Sequence, residues 1–224
     1  MTPPLRDAIA ALELSPAPAP AGASRFEAVV AFLAGNAAAG RRPSLVSALD
    51  EAGFLDPETL AKASIEEVVD AIASSRVKML PKDARLMQRV ARWYLDHRDD
   101  LEFEPGPGED RPSFPHDALS AVNGVGRATA DGLALHVFGV PTYPVDRATY
   151  RIMVRHGWID PTVDYDEASQ AVVAAAEGDA AVLAALSDAF EGVGRRFCKS
   201  SGPRCEPCPL KVVLPEGGPI EADG

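Results

Sequence analysis

The chain reads as all-α, with a cysteine loop near its C-terminus. Three observations predict the helical class. Apolar residues recur at three- and four-residue spacing, as one face of a 3.6-residue period requires. No segment shows the apolar–polar alternation of a half-buried strand. Helix-start signatures stand at the correct offset before the periodic runs.

In order along the chain, "MTPPLRDAIAALEL" gives a short first helix, and "SPAPAPAG" (15–22) a stiff, extended linker. Phe26, Val29, Val30 and Leu33 then form one helical face, Val68, Val69 and Ile72 another, and Leu86, Val90, Trp93 and Tyr94 a third. Ser64 with Glu67, and Asp164 with Glu167, have the spacing at which a capping oxygen and a carboxylate satisfy the first free amides of a helix. "EPGPGEDRPSFP" (104–115) is an irregular loop, and no repeat of fixed period is present.

With 224 residues, 46% of them hydrophobic, the chain can bury a substantial core. Arg6, Asp7 and Glu13 interrupt the apolar run that a signal peptide needs, and no stretch of about eighteen uncharged apolar residues occurs. We therefore expect a cytoplasmic protein, nucleoid-associated if bacterial, with no membrane partner.

The net charge of −11 argues at first against a polyanionic partner, because Lys and Arg must replace condensed counterions. The distribution matters more than the total. Residues 76–98 contain seven basic residues (Arg76, Lys78, Lys82, Arg85, Arg89, Arg92, Arg98) against Asp83 and Asp96, about +5. Residues 192–211 contain five (Arg195, Arg196, Lys199, Arg204, Lys211) against Glu206, about +4. Either segment taken alone also fits an ordinary solvated helix face.

In "LSAVNGVGRATADG" a helical pattern runs into Gly124 and Gly126 and out again through Ala130 and Leu133. A Gly-x-Gly turn opening a helix offers free backbone N–H groups at the positive end of a dipole, a geometry that binds anions. The dinucleotide fingerprint shares it but needs a preceding strand, whereas a helix-hairpin-helix needs a preceding helix. The helical pattern from Leu119 favours the second. Beyond the second helix, "FGVPTYPVD" is a Gly/Pro loop that delivers Asp146 to the start of another helix, "RATYRIMVRHG".

This order of helix, hairpin, helix, Gly/Pro loop and aspartate resembles the helix-hairpin-helix-GPD superfamily of DNA glycosylases, and within it the endonuclease III-like enzymes. The resemblance runs from about Phe26 to Cys208. It implies a six-helix domain at 25–138 bearing the hairpin, and a second helical domain from 1–24 plus 139–224, with double-stranded DNA between them. Gly124, Val125, Gly126, Arg127 and Thr129 would contact a phosphate without reading sequence. Asp146 matches the family's catalytic carboxylate, which would stabilise the charge developing on the sugar or orient an attacking water. The plain alternative is an aspartate that only caps its helix.

Two departures bear on chemistry. The lysine whose amine attacks the sugar in lyase-competent relatives is Ala128 here, which implies a monofunctional enzyme that stops at the abasic site. Asn123 stands for the usual proline before the first hairpin glycine, a mild change because Asn tolerates turn conformations.

"CKSSGPRCEPC" carries Cys198, Cys205 and Cys208 at the spacing of the first three ligands of the family's iron–sulfur loop. The fourth cysteine would fall at position 214, which is leucine. A [4Fe–4S] cluster with three cysteine ligands and an unidentified fourth, a remnant loop without metal, and zinc with a distant histidine all remain open.

The leading expectation is therefore a monomeric base-excision glycosylase acting on a damaged or mismatched base turned out of the duplex. A DNA-binding relative without catalysis is the alternative. Asn36 lies roughly where the family fills the gap left in the duplex, although the local sequence favours an asparagine on the helix surface. Tyr143, Tyr150 and Trp158 are candidates for stacking on a base or for the core.

Overall fold

A computed structural model describes residues 3–14, 24–37, 42–73, 79–104, 106, 109–110 and 112–220. Among these residues the chain is helical throughout and has no strand. The elements are α1 (Leu5–Ala11), α2 (Arg25–Ala37), α3 (Arg42–Glu51), α4 (Pro57–Lys62), α5 (Ile65–Ala73), α6 (Pro81–Asp96), α7 (Arg98–Leu101), α8 (His116–Ser120), α9 (Arg127–Phe138), α10 (Arg147–Arg155), α11 (Tyr165–Ala175), α12 (Ala180–Arg196) and a 3-10 turn at Pro209–Val213. The linker at 15–22 lies outside the described residues, and so do Arg76 and Lys78 of the first basic segment.

The chain divides into two compact units, Ala19–Phe138 and Met1–Pro18 with Gly139–Gly224. In the first, α2 packs on α9, α3 and α6, and α4 and α5 pack on α6. The three apolar faces legible in the sequence supply this core. Val29, Val30, Val68, Ile72, Val90 and Tyr94 are at most 1% exposed, which fixes the rotation of α2, α5 and α6 about their axes.

Helix starts follow the side-chain chemistry. Ser64 Oγ accepts the Glu67 amide at 3.1 Å while Glu67 Oε2 accepts the Ser64 amide at 2.7 Å, so both orphan donors are satisfied. Ser24 and Glu27 make the same reciprocal pair at 3.1 Å in each direction, opening α2. Asp164 caps α11 through the Glu167 amide at 2.9 Å.

In the second unit α10 packs on α12, and α1 packs on α11 and the 3-10 turn. The α10–α12 contact depends on a missing side chain. A Cβ built on Gly194 of α12 would lie 2.5 Å from Ala148 Cβ of α10. Both atoms sit directly on helical backbone, so neither can swing aside. Gly194→Ala is therefore expected to lower stability by about 1–3 kcal/mol through overpacking, despite alanine's better helix propensity. Denaturant unfolding checks this, and Ala148→Gly added to Gly194→Ala should recover part of the loss.

Candidate functional site

The hairpin is built by α8, the turn at 121–126 and α9. Gly124 takes φ +97°, a conformation that favours glycine, and its Cβ position lies 3.4 Å from Leu86 Cδ1 on α6. Val125 is 8% exposed and plugs the turn into the core of its unit. Arg89 Nη1 donates to the Asn123 carbonyl at 2.9 Å, so one residue of the first basic segment supports the turn. His116 Nε2 and the buried Asp131 Oδ1, 2.8 Å apart, tie α8 to α9.

These bonds sort the hairpin amides. Val125 N–H donates to the Val122 carbonyl at 2.9 Å and Thr129 N–H to the Gly126 carbonyl at 2.9 Å. Neither backbone donor is available to a phosphate. The amides of Gly126, Arg127 and Ala128 open α9, where no preceding helical carbonyl exists to receive them. Space around Gly126 is clear, with no heavy atom within 4 Å of its Cβ position. This is an anion-receptive helix start.

The other unit carries Asp146. Its Oδ1 accepts the Thr149 amide at 2.6 Å, so it does cap α10, and the residue is exposed. The capping reading and a chemical role are thus compatible, because one oxygen makes the cap and the carboxylate stays open to solvent. Tyr143, three residues earlier, is fully buried, and burial pushes its phenol far above the usual tyrosine range. That removes Tyr143 as a stacking residue. Tyr150 donates to the Pro161 carbonyl at 2.5 Å and Trp158 Nε1 to the Pro3 carbonyl at 2.9 Å, so these two rings also serve local packing. Asn36 falls in the last turn of α2, but its side chain lies outside the described residues.

One turn and two turns beyond Asp146 on α10 are residues the sequence reading passed over. Arg151 grips the Cys198 carbonyl with Nε at 2.9 Å and Nη2 at 2.7 Å. Arg155, only 5% exposed, donates to the carbonyls of Lys199 and Ser200, and its Nη1 lies 3.6 Å from Cys198 Sγ. A five-donor planar fork suits such convergent carbonyls. The signal was present as two arginines four apart on one helical face, but a basic helix is equally a solvated one. Several cations of the second basic segment are likewise engaged, with Lys211 on Glu206 at 2.5 Å and Arg195 on Glu191 at 3.5 Å.

Cys198, Cys205 and Cys208 line one pocket of about 310 Å³, measured with its mouth, and the same pocket is bordered by Arg155, His156 and Leu214. The thiols are close enough to act on one another. Burial, reinforced by the two neighbouring sulfurs, pushes the Cys208 thiol up. Among the described residues, no three His, Cys, Asp or Glu side chains converge on a single metal ion. The donor set fits three corners of an iron–sulfur cluster, and Leu214 brings no donor to the fourth.

No protein-family model matches the chain. It is 29% identical over 160 residues to the endonuclease III of Sulfolobus acidocaldarius, covering 71% of this chain and 66% of that protein. It is 30% identical over 158 residues to the endonuclease III of Thermotoga maritima, covering 70% and 67%. The chain belongs to the endonuclease III-like family of DNA glycosylases. Its fold is similar to that of an endonuclease III–DNA covalent intermediate, with TM-score 0.67 at 22% identity over 95% of this chain and 93% of the other. A thermostable thymine-DNA glycosylase gives TM-score 0.63 at 14% identity over 93% and 94%. Ala128 stands on the first turn of α9.

Replacing Arg155 would orphan two loop carbonyls. Arg155→Met is expected to lower stability by on the order of 2 kcal/mol and to speed alkylation of Cys198, which is buried in the wild type. Thiol-labelling rates followed by mass spectrometry check this.

Proposed function

We propose that this protein is a monofunctional DNA glycosylase that removes a damaged or mismatched base from double-stranded DNA. The observation that carries the reading is Asp146, a carboxylate fixed by one oxygen at the start of α10 and open to solvent, in a chain with alanine at position 128.

The steps follow from the side chains. The amides of Gly126, Arg127 and Ala128 bind a phosphate and set register, with the Arg127 and Thr129 side chains beside them. The target nucleotide is turned out of the stack, since its glycosidic bond cannot be reached within the duplex. As that bond breaks, positive charge develops on the sugar and the base departs with the bonding electron pair. Asp146 stabilises the charge and orients a water onto the sugar carbon, accepting its proton. Alanine at 128 has no amine, so no Schiff base forms there and the backbone is left intact at an abasic site.

Cys198, Cys205 and Cys208 would hold an iron–sulfur cluster as thiolates. When bound, it would cross-link the loop that Arg151 and Arg155 attach to α10.

Incubation with duplexes carrying one lesion each, resolved on denaturing gels, tests this reading. Strand breaks are expected only after alkali treatment, with no borohydride-trapped complex. Asp146→Asn should reduce base release by at least about a hundredfold and leave DNA affinity largely unchanged. Binding without base release across a broad panel would favour the non-catalytic DNA-binding relative.

A further inference from the structure

We propose that His156 supplies the fourth ligand, through Nε2, of an iron–sulfur cluster whose other ligands are Cys198, Cys205 and Cys208. The inference rests on the cluster reading above and adds the ligand that the sequence leaves missing.

The imidazole is prepared for coordination on one side and unsatisfied on the other. Nδ1 lies 2.8 Å from the Ile152 carbonyl, which can accept only if Nδ1 carries the proton. That assigns the lone pair to Nε2 in the neutral ring. A metal-bound histidine characteristically donates its second ring N–H to such a carbonyl, which fixes tautomer and orientation. Stacking on Trp158, with centroids 4.5 Å apart and planes at 22°, restricts the ring further.

Nε2 itself is buried and has no hydrogen-bond partner. The Leu210 main chain faces the ring without completing a bond to it. His156 is 5% exposed, and an orphaned polar atom at that depth calls for an explanation. The pocket supplies one, because the residues bordering it with His156 include the three cysteines and Leu214.

The metal group is read as a cluster because Cys198, Cys205 and Cys208 have the spacing of the family's iron–sulfur loop. A single zinc would gather all four ligands onto one ion at about 2.0–2.3 Å. A cubane cluster instead takes one protein ligand per iron around a larger body. Three thiolates and one neutral imidazole carry one negative charge fewer than four thiolates. The cluster should therefore be easier to reduce, as histidine ligation raises the potential of Rieske centres.

The full-length protein, purified without oxygen and reconstituted with ferrous iron and sulfide, would be prepared with natural-abundance and with 15N-labelled histidine. Pulsed electron paramagnetic resonance of the reduced cluster should show a nitrogen coupling that changes with the label and vanishes in His156→Ala. Adding Leu214→Cys to His156→Ala restores a fourth thiolate and should lower the reduction potential relative to wild type. A wild-type cluster with matched iron and sulfide but no histidine coupling would overturn the assignment of His156 while leaving the cluster reading intact. Retention of zinc alone, or of no metal, would overturn both, and the lesion assay would still judge base release separately.

Discussion

The guanidinium of Arg155 is buried among the carbonyls of Lys199 and Ser200 and the sulfur of Cys198, and much of the C-terminal unit is organised around that contact. A buried cation is tolerable only when its donors are met, and here the loop meets them. The backbone carbonyl of the same residue accepts from the Ile220 amide at 2.8 Å, so the final segment is gathered onto the same helix. Arg151 adds a second grip one turn earlier. Since Asp146 begins this helix and the arginines lie on its later turns, the carboxylate and the cysteine loop share one rigid element of about two and a half turns.

The hairpin is constrained differently. Gly124 bends the chain with a positive φ, Val125 anchors the bend by burial, and Arg89 closes it through the Asn123 carbonyl. Asn123 in place of proline leaves this turn intact because the turn's stability comes from its neighbours. The outcome is a helix start whose first amides have no acceptor within their own helix, and that is a property of the backbone rather than of any one side chain.

Basic residues are concentrated locally in an acidic protein. Lys82, Arg85 and Arg92 are exposed on α6, opposite its buried face, although Arg92 also donates to the Ala61 carbonyl at 3.1 Å. Several other cations hold structure or pair with carboxylates, so counting basic residues overstates what a phosphate backbone would meet. Affinity for a phosphate backbone would be set in such a chain by a few local residues, while the net charge of −11 opposes non-specific binding to a polyanion.

The sequence by itself determined the helical class, the faces that Phe26, Val68 and Val90 bury, the cap at Ser64 and the family's motif order, because each rests on residues close together in the chain. The family resemblance also exposed the two absences, the amine at position 128 and the thiol at position 214. Tertiary structure decided the rest. Arg151 and Arg155 drew no reading from the sequence, and their role depends on the loop some forty residues later that lies against them. Tyr143 could stack on a base or pack in the core, and its full enclosure decides for the core, while the Val125 amide looked free until its bond to Val122 was seen. His156 carried no signal at all. Its meaning depends on which ring nitrogen is already bonded and on what lines the pocket beside it, and chain spacing specifies neither.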